Sequence, residues 1–394
     1  MVSLLFISAE LSSDDPKPTR VSSISRILAA RGHRIFLLCN AGRSLSRSDF
    51  GSFLENLAPK VVQRGRVVWI FPSALRLPRA RGAVKILCSV WNIASSLLFA
   101  TMLLALGTLR VEAVYSSTPQ SQGFIASVVS AFRRIPLIVG YIDPSFARDT
   151  GATRKFGSFL ESISLSSSDA VISSDPVISQ YVYSRCGKRP VLLPNGYDPD
   201  LFKPAPSPSR SAGRLIAFVG KMDTSVYRLD VLLLACKEVI EVVPEARFVL
   251  IGDGPDIAML KKLAFDLRVE ESVDFVGFVP HADVATWIRN AEVCVHVTND
   301  TCLGLKVMEY MASGRPVVIA APWWDKYESV IRSGYNCVTV PLEPAALAMA
   351  IIEVMRNPEH AQQLSRNARE TASLYSWNDV SEAMIQVVRA VLRG

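Results

Sequence analysis

Between Thr301 and Val318 the sequence reads TCLGLKVMEYMASGRPVV. The pattern predicts a short turn, a helix from about Gly304 to Ser313 and a buried strand beginning at Pro316. Lys306 and Glu309, three residues apart, fall on roughly one face of that helix. The junction through Thr301, Gly304 and Leu305 offers free backbone N–H groups and the positive end of a helix dipole, which together suit a phosphate. A cation at Lys306 is unfavourable for the bare first turn and useful once an anion is bound there. Glu309, one turn on, can accept from a sugar hydroxyl. A diphosphate contact and a hydroxyl contact one turn apart fit the two ends of a ribose–pyrophosphate. An ordinary surface ion pair between Lys306 and Glu309 fits the same spacing.

Such a pair of contacts needs a scaffold that brings strand ends and helix entrances together. Apolar runs alternate with helical patterns along the whole chain, which predicts parallel sheets covered on both faces. The expected strands of the first half are Val2–Ser8, Arg34–Cys39, Val67–Ile70, Ala113–Ser116, Leu137–Tyr141, Ala170–Ser173 and Val191–Leu193. Those of the second are Leu215–Gly220, Arg247–Gly252, Val273–Phe275, Val293–Val297, Pro316–Ile319 and Cys337–Val340. Between the halves, Pro194-Asn195-Gly196-Tyr197-Asp198 and the later Pro204, Pro206 and Pro208 cannot continue a helix or a central strand. We therefore expect a domain over 1–196, a Pro-rich linker over 197–211, a second domain over 212–376 and an amphipathic helix over 377–394.

Other candidates sit at strand ends. Tyr141–Pro144 (YIDP) closes a strand at the carboxyl edge of the sheet, where doubly wound folds bind ligands. Asp143 there is either a general base facing an acceptor hydroxyl or a turn residue before proline. Glu161, on the next helix, is a second candidate for that role. Gly252-Asp253-Gly254-Pro255 is a turn whose glycines let backbone approach a ligand closely. His33 is expected in a turn, and His281 at the surface of the helix it opens. Thr301 fits a sugar contact or a helix cap. Trp323 and Trp324 either wall a donor sugar or pack domain on domain. Asp198-Pro199-Asp200 matches a metal-binding aspartate pair only textually, because it lies in the interdomain segment. No metal-ligand cluster is visible.

The bulk composition narrows the partners. With 394 residues, 49% hydrophobic and 20% charged, the chain is long enough for two folded domains. A net charge of +7 favours an anionic partner: a nucleotide or an acidic lipid surface. No basic strip interleaved with aromatics points to nucleic acid. Seven scattered cysteines predict buried thiols in a reducing compartment. The chain opens on an apolar strand without the basic lead of a signal peptide, so a cytoplasmic location is expected. Ile86–Gly107 carries no charge over nearly the length of a membrane span. It reads as a transmembrane segment, a buried core helix, or a helix in the membrane interface with Ser89, Asn92 and Ser96 on a narrow polar line. Arg76, Arg79, Arg81 and Lys85 precede it and would add attraction to an anionic inner leaflet, making residues 76–107 a peripheral membrane contact.

The stretch ending at Val318 resembles the nucleotide-sugar-binding segment of family-4-like glycosyltransferases (glycosyl transferases group 1) of the GT-B fold. Those enzymes carry two glutamates eight positions apart, then a small residue, Gly, any residue and Pro-Val-Val. Glu309, Ser313, Gly314, Pro316, Val317 and Val318 follow that register. The first glutamate falls at Thr301, a departure at the position that contacts the donor sugar in the family. Leu305–Tyr310 (LKVMEY) is closer to a branch of bacterial cell-surface polysaccharide transferases, such as the xanthan glucuronosyltransferase, in which the lysine meets the diphosphate.

That resemblance implies an α/β, GT-B architecture: two Rossmann-like, doubly wound parallel-sheet domains facing across a cleft. The first would bind the acceptor, the second the nucleotide sugar, and the last helix would cross back onto the first. It implies that Lys221 and Arg228 hold the diphosphate, Arg228 displaced by one position from the family's Lys-Gly, and that backbone at Gly277 and Phe278 contacts the base. It implies Gly252 and Gly254 beside the donor, and some inverting members use an aspartate placed like Asp143. The family's Gly-Gly loop before the first helix is replaced here by SSDDPKPTR. Lys17, Thr19 or Arg20 would stand in for it, or the loop is simply solvated.

The expected function is a metal-independent, cofactor-free transfer of a sugar from a UDP- or GDP-sugar to a glycan or lipid-linked acceptor at the inner face of the plasma membrane. Two alternatives share these features: a catalytically silent sugar-nucleotide-binding scaffold of a polysaccharide assembly, and a GT-B epimerase acting on the sugar nucleotide.

Overall fold

The computed structural model describes residues 1–8, 19–39, 60–72, 82–105, 110–142, 151–204, 214–300, 303–322 and 330–394. The chain forms two compact units, one of Met1–Pro194 with Asn378–Gly394 and one of Asn195–Trp377.

In the first unit the elements run β1 (Ser3–Ser8), α1 (Arg20–Ala30), β2 (Arg34–Cys39), β3 (Lys60–Arg64), β4 (Val67–Phe71), α2 (Gly82–Ala105), β5 (Ala113–Ser116), α3 (Ser121–Arg133), β6 (Leu137–Tyr141), α4 (Gly151–Ser167), β7 (Ala170–Ser173), α5 (Pro176–Cys186) and β8 (Val191–Leu192). The strands form one sheet in the order β3-β4-β2-β1-β5-β6-β7-β8. Its central strands are apolar and buried, as sheets covered on both faces require. The exception to parallel pairing is β3, which runs antiparallel to β4 through the two-residue turn Gly65-Arg66. The sequence pattern above contains no strand at β3.

At the start of α1, Thr19 and Ser22 form a reciprocal cap. Arg20 is neither solvated nor turned to a ligand. Its buried guanidinium donates to the carbonyls of Pro194 (2.9 Å) and Leu193 (2.7 Å), fastening α1 to the end of β8. His33 accepts from the Val2 N–H at 3.1 Å, and burial holds its pKa below the usual value. It locks the first two strands.

Of the uncharged segment, residues 86–105 lie in α2, which packs on α3 and α4. Among the described residues no helix is long and apolar enough to cross a membrane. Nor is α2 a fully buried core helix. Ile93, Ser96 and Ala100 point inward, whereas Leu87 (67% exposed), Trp91 (48%) and Leu98 (73%) lie with Val90 and Met102 on the outside. The narrow polar line runs into the unit, with Ser89 and Asn92 half-buried and Ser96 sealed. The apolar side faces out. Arg76, Arg79 and Arg81 lie outside the described residues, as does the Lys85 side chain.

The second unit runs β9 (Arg214–Val219), α6 (Leu229–Val242), β10 (Ala246–Ile251), α7 (Ile257–Asp266), β11 (Val273–Gly277), α8 (His281–Asn290), β12 (Val293–Val297), α9 (Leu305–Ala312), β13 (Val317–Ala320), β14 (Val338–Val340), α10 (Pro344–Arg356) and α11 (Pro358–Ser373). The sheet order is β11-β10-β9-β12-β13-β14, and every pairing is parallel. The order turns back on itself between β9 and β12, so the switch point of this sheet lies at their carboxyl ends. The start of the expected linker belongs to this unit. Tyr197 bridges to Ser376, Phe202 is buried, and a β-carbon on Gly196 would meet the Trp377 ring at 2.7 Å. The final helix, α12 (Trp377–Arg393), counts from Asn378 with the first unit, where Glu382 pairs with Arg31 at 2.7 Å.

Candidate functional site

The carboxyl ends of β9 and β12 both meet α9, β9 through Tyr310 and β12 through His296 beside the Gly304 N-cap. After β9, the backbone passes so close to β10 that a β-carbon on Gly252 would lie 1.9 Å from the Gly220 carbonyl oxygen. Gly252 also has φ +139°, a conformation that only glycine adopts readily. Likewise a β-carbon on Gly254 would come within 2.4 Å of the Met222 carbonyl oxygen. These glycines therefore admit the chain's own backbone, which places the Lys221–Arg228 loop. The Gly277 carbonyl in turn accepts from the Gly252 N–H at 2.8 Å, and Phe278 beyond it is exposed.

The same loop is stitched to β12. The Val226 carbonyl accepts from the Asn299 N–H at 2.8 Å and from Thr298 Oγ1 at 3.1 Å. Tyr310 of α9 takes the Val219 N–H at 2.8 Å, tying that helix to the end of β9. Asn195 donates to the Leu303 carbonyl at 3.3 Å, just before the helix. Gly304 is the N-cap of α9 and has no side chain to cap it, so among the described residues the N–H groups of the first turn receive no N-cap side-chain acceptor. Leu305 and Lys306 open that turn half-buried.

Glu309 is buried one turn further on. Its Oε2 accepts from Lys306 Nζ at 2.7 Å and its Oε1 pairs with His281 Nε2 at 2.9 Å. The Lys306–Glu309 ion pair expected from the spacing is therefore real, but it lies inside the unit. Burial pushes the Glu309 carboxyl up, yet Lys306 and His281 outweigh burial and hold it below the usual carboxylate range. An ionised carboxylate only accepts, so His281 must carry its proton on Nε2. Each carboxylate oxygen keeps a second lone pair for a ligand hydroxyl. His281, expected at the surface, is half-buried: it pairs with Glu309 and its ring meets Phe202 edge-on, centroids 5.1 Å apart.

The other two expected diphosphate cations are paired locally. Lys221, 60% exposed, meets Asp223 at 2.7 Å. Arg228 grips Asp230 through two nitrogens, at 2.9 and 2.7 Å, at the start of α6. Hydrogen bonding to Lys221 lowers Asp223, while Asp230 falls because Arg228 outweighs the effect of burial. Both cations stay within side-chain reach of solvent, where a diphosphate can compete for them.

In the first unit, Glu161 is wholly buried. Its oxygens accept from Tyr141 (3.1 Å) and Tyr181 (2.9 Å), with Arg185 at 3.6 Å. Burial and the carboxylate raise both phenols, Tyr181 to about 12, so they remain donors. Glu161 thus clamps α4 to β6 and α5 and does not sit where an acceptor hydroxyl can reach it. Asp143, Thr301, Lys17, Trp323 and Trp324 lie outside the described residues. Asp198 accepts from the Asp200 N–H at 3.0 Å in a local turn. Among the described residues no three His, Cys, Asp or Glu side chains group as a metal site.

Comparison with known proteins bears on both units. Residues 202–371 match the family model for glycosyl transferases group 1, and residues 18–196 match that for a glycosyl transferase 4-like domain. The chain is 30% identical over 209 residues to the phosphatidyl-myo-inositol mannosyltransferase of Mycobacterium leprae, covering 52% of this chain and 54% of the relative. It is 28% identical over 133 residues to the alpha-monoglucosyldiacylglycerol synthase of Acholeplasma laidlawii, covering 34% and 33%. The chain thus spans about half the length of the mannosyltransferase it matches. Among solved structures, sucrose-phosphate synthase from Thermosynechococcus elongatus superposes with a TM-score of 0.76 at 19% identity over the full length of both chains. Anabaena HepE, solved in complex with UDP, gives 0.70 at 17% identity, covering 99% of this chain and 100% of that one. Both share the fold described above.

Proposed function

Because the chain belongs to the glycosyl transferases group 1 family of GT-B glycosyltransferases, we propose that it transfers a sugar from a nucleoside diphosphate sugar to a lipid-linked or glycan acceptor at a membrane surface. The observation that carries this reading is the buried Glu309 at the uncapped entrance of α9, with Lys306 and His281 on its two oxygens. In the donor complex Glu309 accepts a ribose hydroxyl. The first-turn N–H groups, Lys306, Lys221 and Arg228 receive the diphosphate. That diphosphate leaves with the electron pair of the broken glycosidic bond. Its growing charge falls on these fixed donors and on the helix dipole, which stabilise it with little reorganisation. No metal is assigned to this step. A base near the carboxyl edge of the first sheet, with Asp143 as the candidate, takes the proton of the acceptor hydroxyl if the anomeric centre inverts.

The lipid side of the proposal is supported by the outward apolar face of α2. An unpartnered helix face of that kind in a basic protein fits insertion beneath anionic headgroups. Two relatives with lipids in their names, the phosphatidyl-myo-inositol mannosyltransferase and the alpha-monoglucosyldiacylglycerol synthase, favour the same class.

The test is turnover of a panel of UDP- and GDP-sugars with and without bilayers containing candidate lipid acceptors. Release of UDP or GDP that rises with acceptor supports transfer. Release that ignores the acceptor, with the sugar rearranged, indicates an epimerase. Tight nucleotide binding with no turnover on any donor leaves only the scaffold role.

A further inference from the structure

One buried group beside the site is absent from the donor contacts above. His296 is the penultimate residue of β12, at the switch point of the second sheet. Val293, Val295 and Val297 turn into the hydrophobic core on one face of the strand, which leaves His296 on the other. Its side chain is 1% exposed, and neither Nδ1 nor Nε2 has a hydrogen-bond partner. Burying two unpaired polar atoms costs stability that an apolar residue would not. The local sequence VCVHV offers four apolar examples around it.

The orientation of the ring is informative. A β-carbon built on Gly304 would lie 3.0 Å from His296 Cε1 and 3.4 Å from Nε2, so this edge faces the N-cap of α9. Because residue 304 is glycine, no side chain separates the ring edge from the first turn. The Tyr227 ring, next to Arg228 in the chain, also meets it edge-on, centroids 6.0 Å apart. Two independent features therefore meet at one point: an uncapped helix entrance and an unpartnered buried imidazole aimed at it.

We propose that His296 is a further donor-binding residue, its imidazole N–H bonding to a phosphate oxygen of the nucleoside diphosphate held at the entrance of α9. The assignment rests on the donor site described under the proposed function. It adds a neutral donor to a set otherwise made of cations and backbone. Burial alone depresses this histidine, to about 4, so at neutral pH it carries one ring proton and offers one N–H. A bond from that N–H to a charged oxygen is of the stronger, charge-assisted kind. The ligand also supplies the partner that the free protein lacks.

The experiment is calorimetric titration of UDP and GDP into the full chain, its His296→Leu variant and its His296→Gln variant. It is joined by ring-15N spectra of the wild type with and without UDP. His296→Leu removes the unpaired polar atoms and is expected to melt no lower than wild type. Its UDP affinity is expected to fall roughly 10- to 100-fold, with His296→Gln, which keeps an N–H donor, recovering part of that loss. One ring-15N resonance, absent from His296→Leu, should shift on addition of UDP. If His296→Leu binds UDP as wild type does and that resonance is unmoved, His296 is a core residue and the assignment fails while the donor site stands. If wild type binds neither nucleotide, both fall together. Should His296→Leu not fold, the resonance is assigned by its absence from His296→Gln, and whether it shifts with UDP in the wild type decides.

Discussion

Glu309→Ala is expected to weaken UDP binding by about 1.5–3 kcal/mol, the range for a hydrogen bond to a charged group. That corresponds to roughly 10- to 150-fold in affinity. The magnitude follows from where the carboxylate sits. It is buried, ionised and already oriented by Lys306 and His281, so a ribose hydroxyl meets an acceptor that needs no rearrangement. Alanine also leaves Lys306 and His281 without their shared acceptor. The variant should therefore lose fold stability as well, and the titration belongs at a temperature where both proteins are folded. Unchanged affinity in a folded variant would falsify the donor site.

The same carboxylate sets a pH dependence. Its folded pKa is depressed, so its contribution to stability is fully present above the ordinary glutamate value of about 4.3. It is lost as pH falls through the lowered folded value. Urea midpoints measured from pH 6 down to about 3.5 should fall more steeply for wild type than for Glu309→Gln, which cannot titrate at this position. Parallel curves would mean that Glu309 does not carry this linkage.

How far the sequence anticipated this arrangement differs by feature, for physical reasons. Buried parallel strands show as apolar runs, so β1, β2, β5, β9 and β13 stand out in the chain. Lys60–Arg64 does not, because an edge strand that pairs antiparallel carries polar residues such as Gln63 on its open side. Its signal was Gly65, the glycine of a two-residue hairpin turn. The Lys306–Glu309 pair is legible because helical spacing forces two such side chains together. The His281–Glu309 bond is not. It joins residues 28 positions apart on different helices, and no periodicity connects them. Glu161 misleads for the opposite reason, since a carboxylate on the helix after Tyr141–Pro144 looks catalytic until two tyrosines from distant segments enclose it. In Gly252 and Gly254 the freedom of glycine was evident, but its beneficiary, the neighbouring backbone, was not. His296 gives almost no signal in its strand, because one histidine among valines fixes neither its face nor its neighbours.

Replacing Trp91 and Leu98 together with aspartate is expected to reduce binding to anionic vesicles by roughly 100-fold or more, with little change in folding. Both side chains lie on the outer face of α2 and are at least half exposed or close to it, so they contribute little to packing and the melting temperature should hold. On a bilayer the balance differs. Burying one large apolar side chain is worth about 1.5–3 kcal/mol, so even partial insertion of both makes up a large share of the contact. Two new carboxylates would add repulsion from the anionic surface. Co-sedimentation with vesicles of phosphatidylglycerol and phosphatidylcholine measures the loss, and UDP titration of the same variant should match wild type because these residues lie in the first unit. Wild type should also be released by salt, since basic residues flanking the helix act through a screened attraction. A variant that sediments like wild type would remove α2 from the membrane contact. A wild type that pellets equally with neutral vesicles would limit the contact to its apolar component.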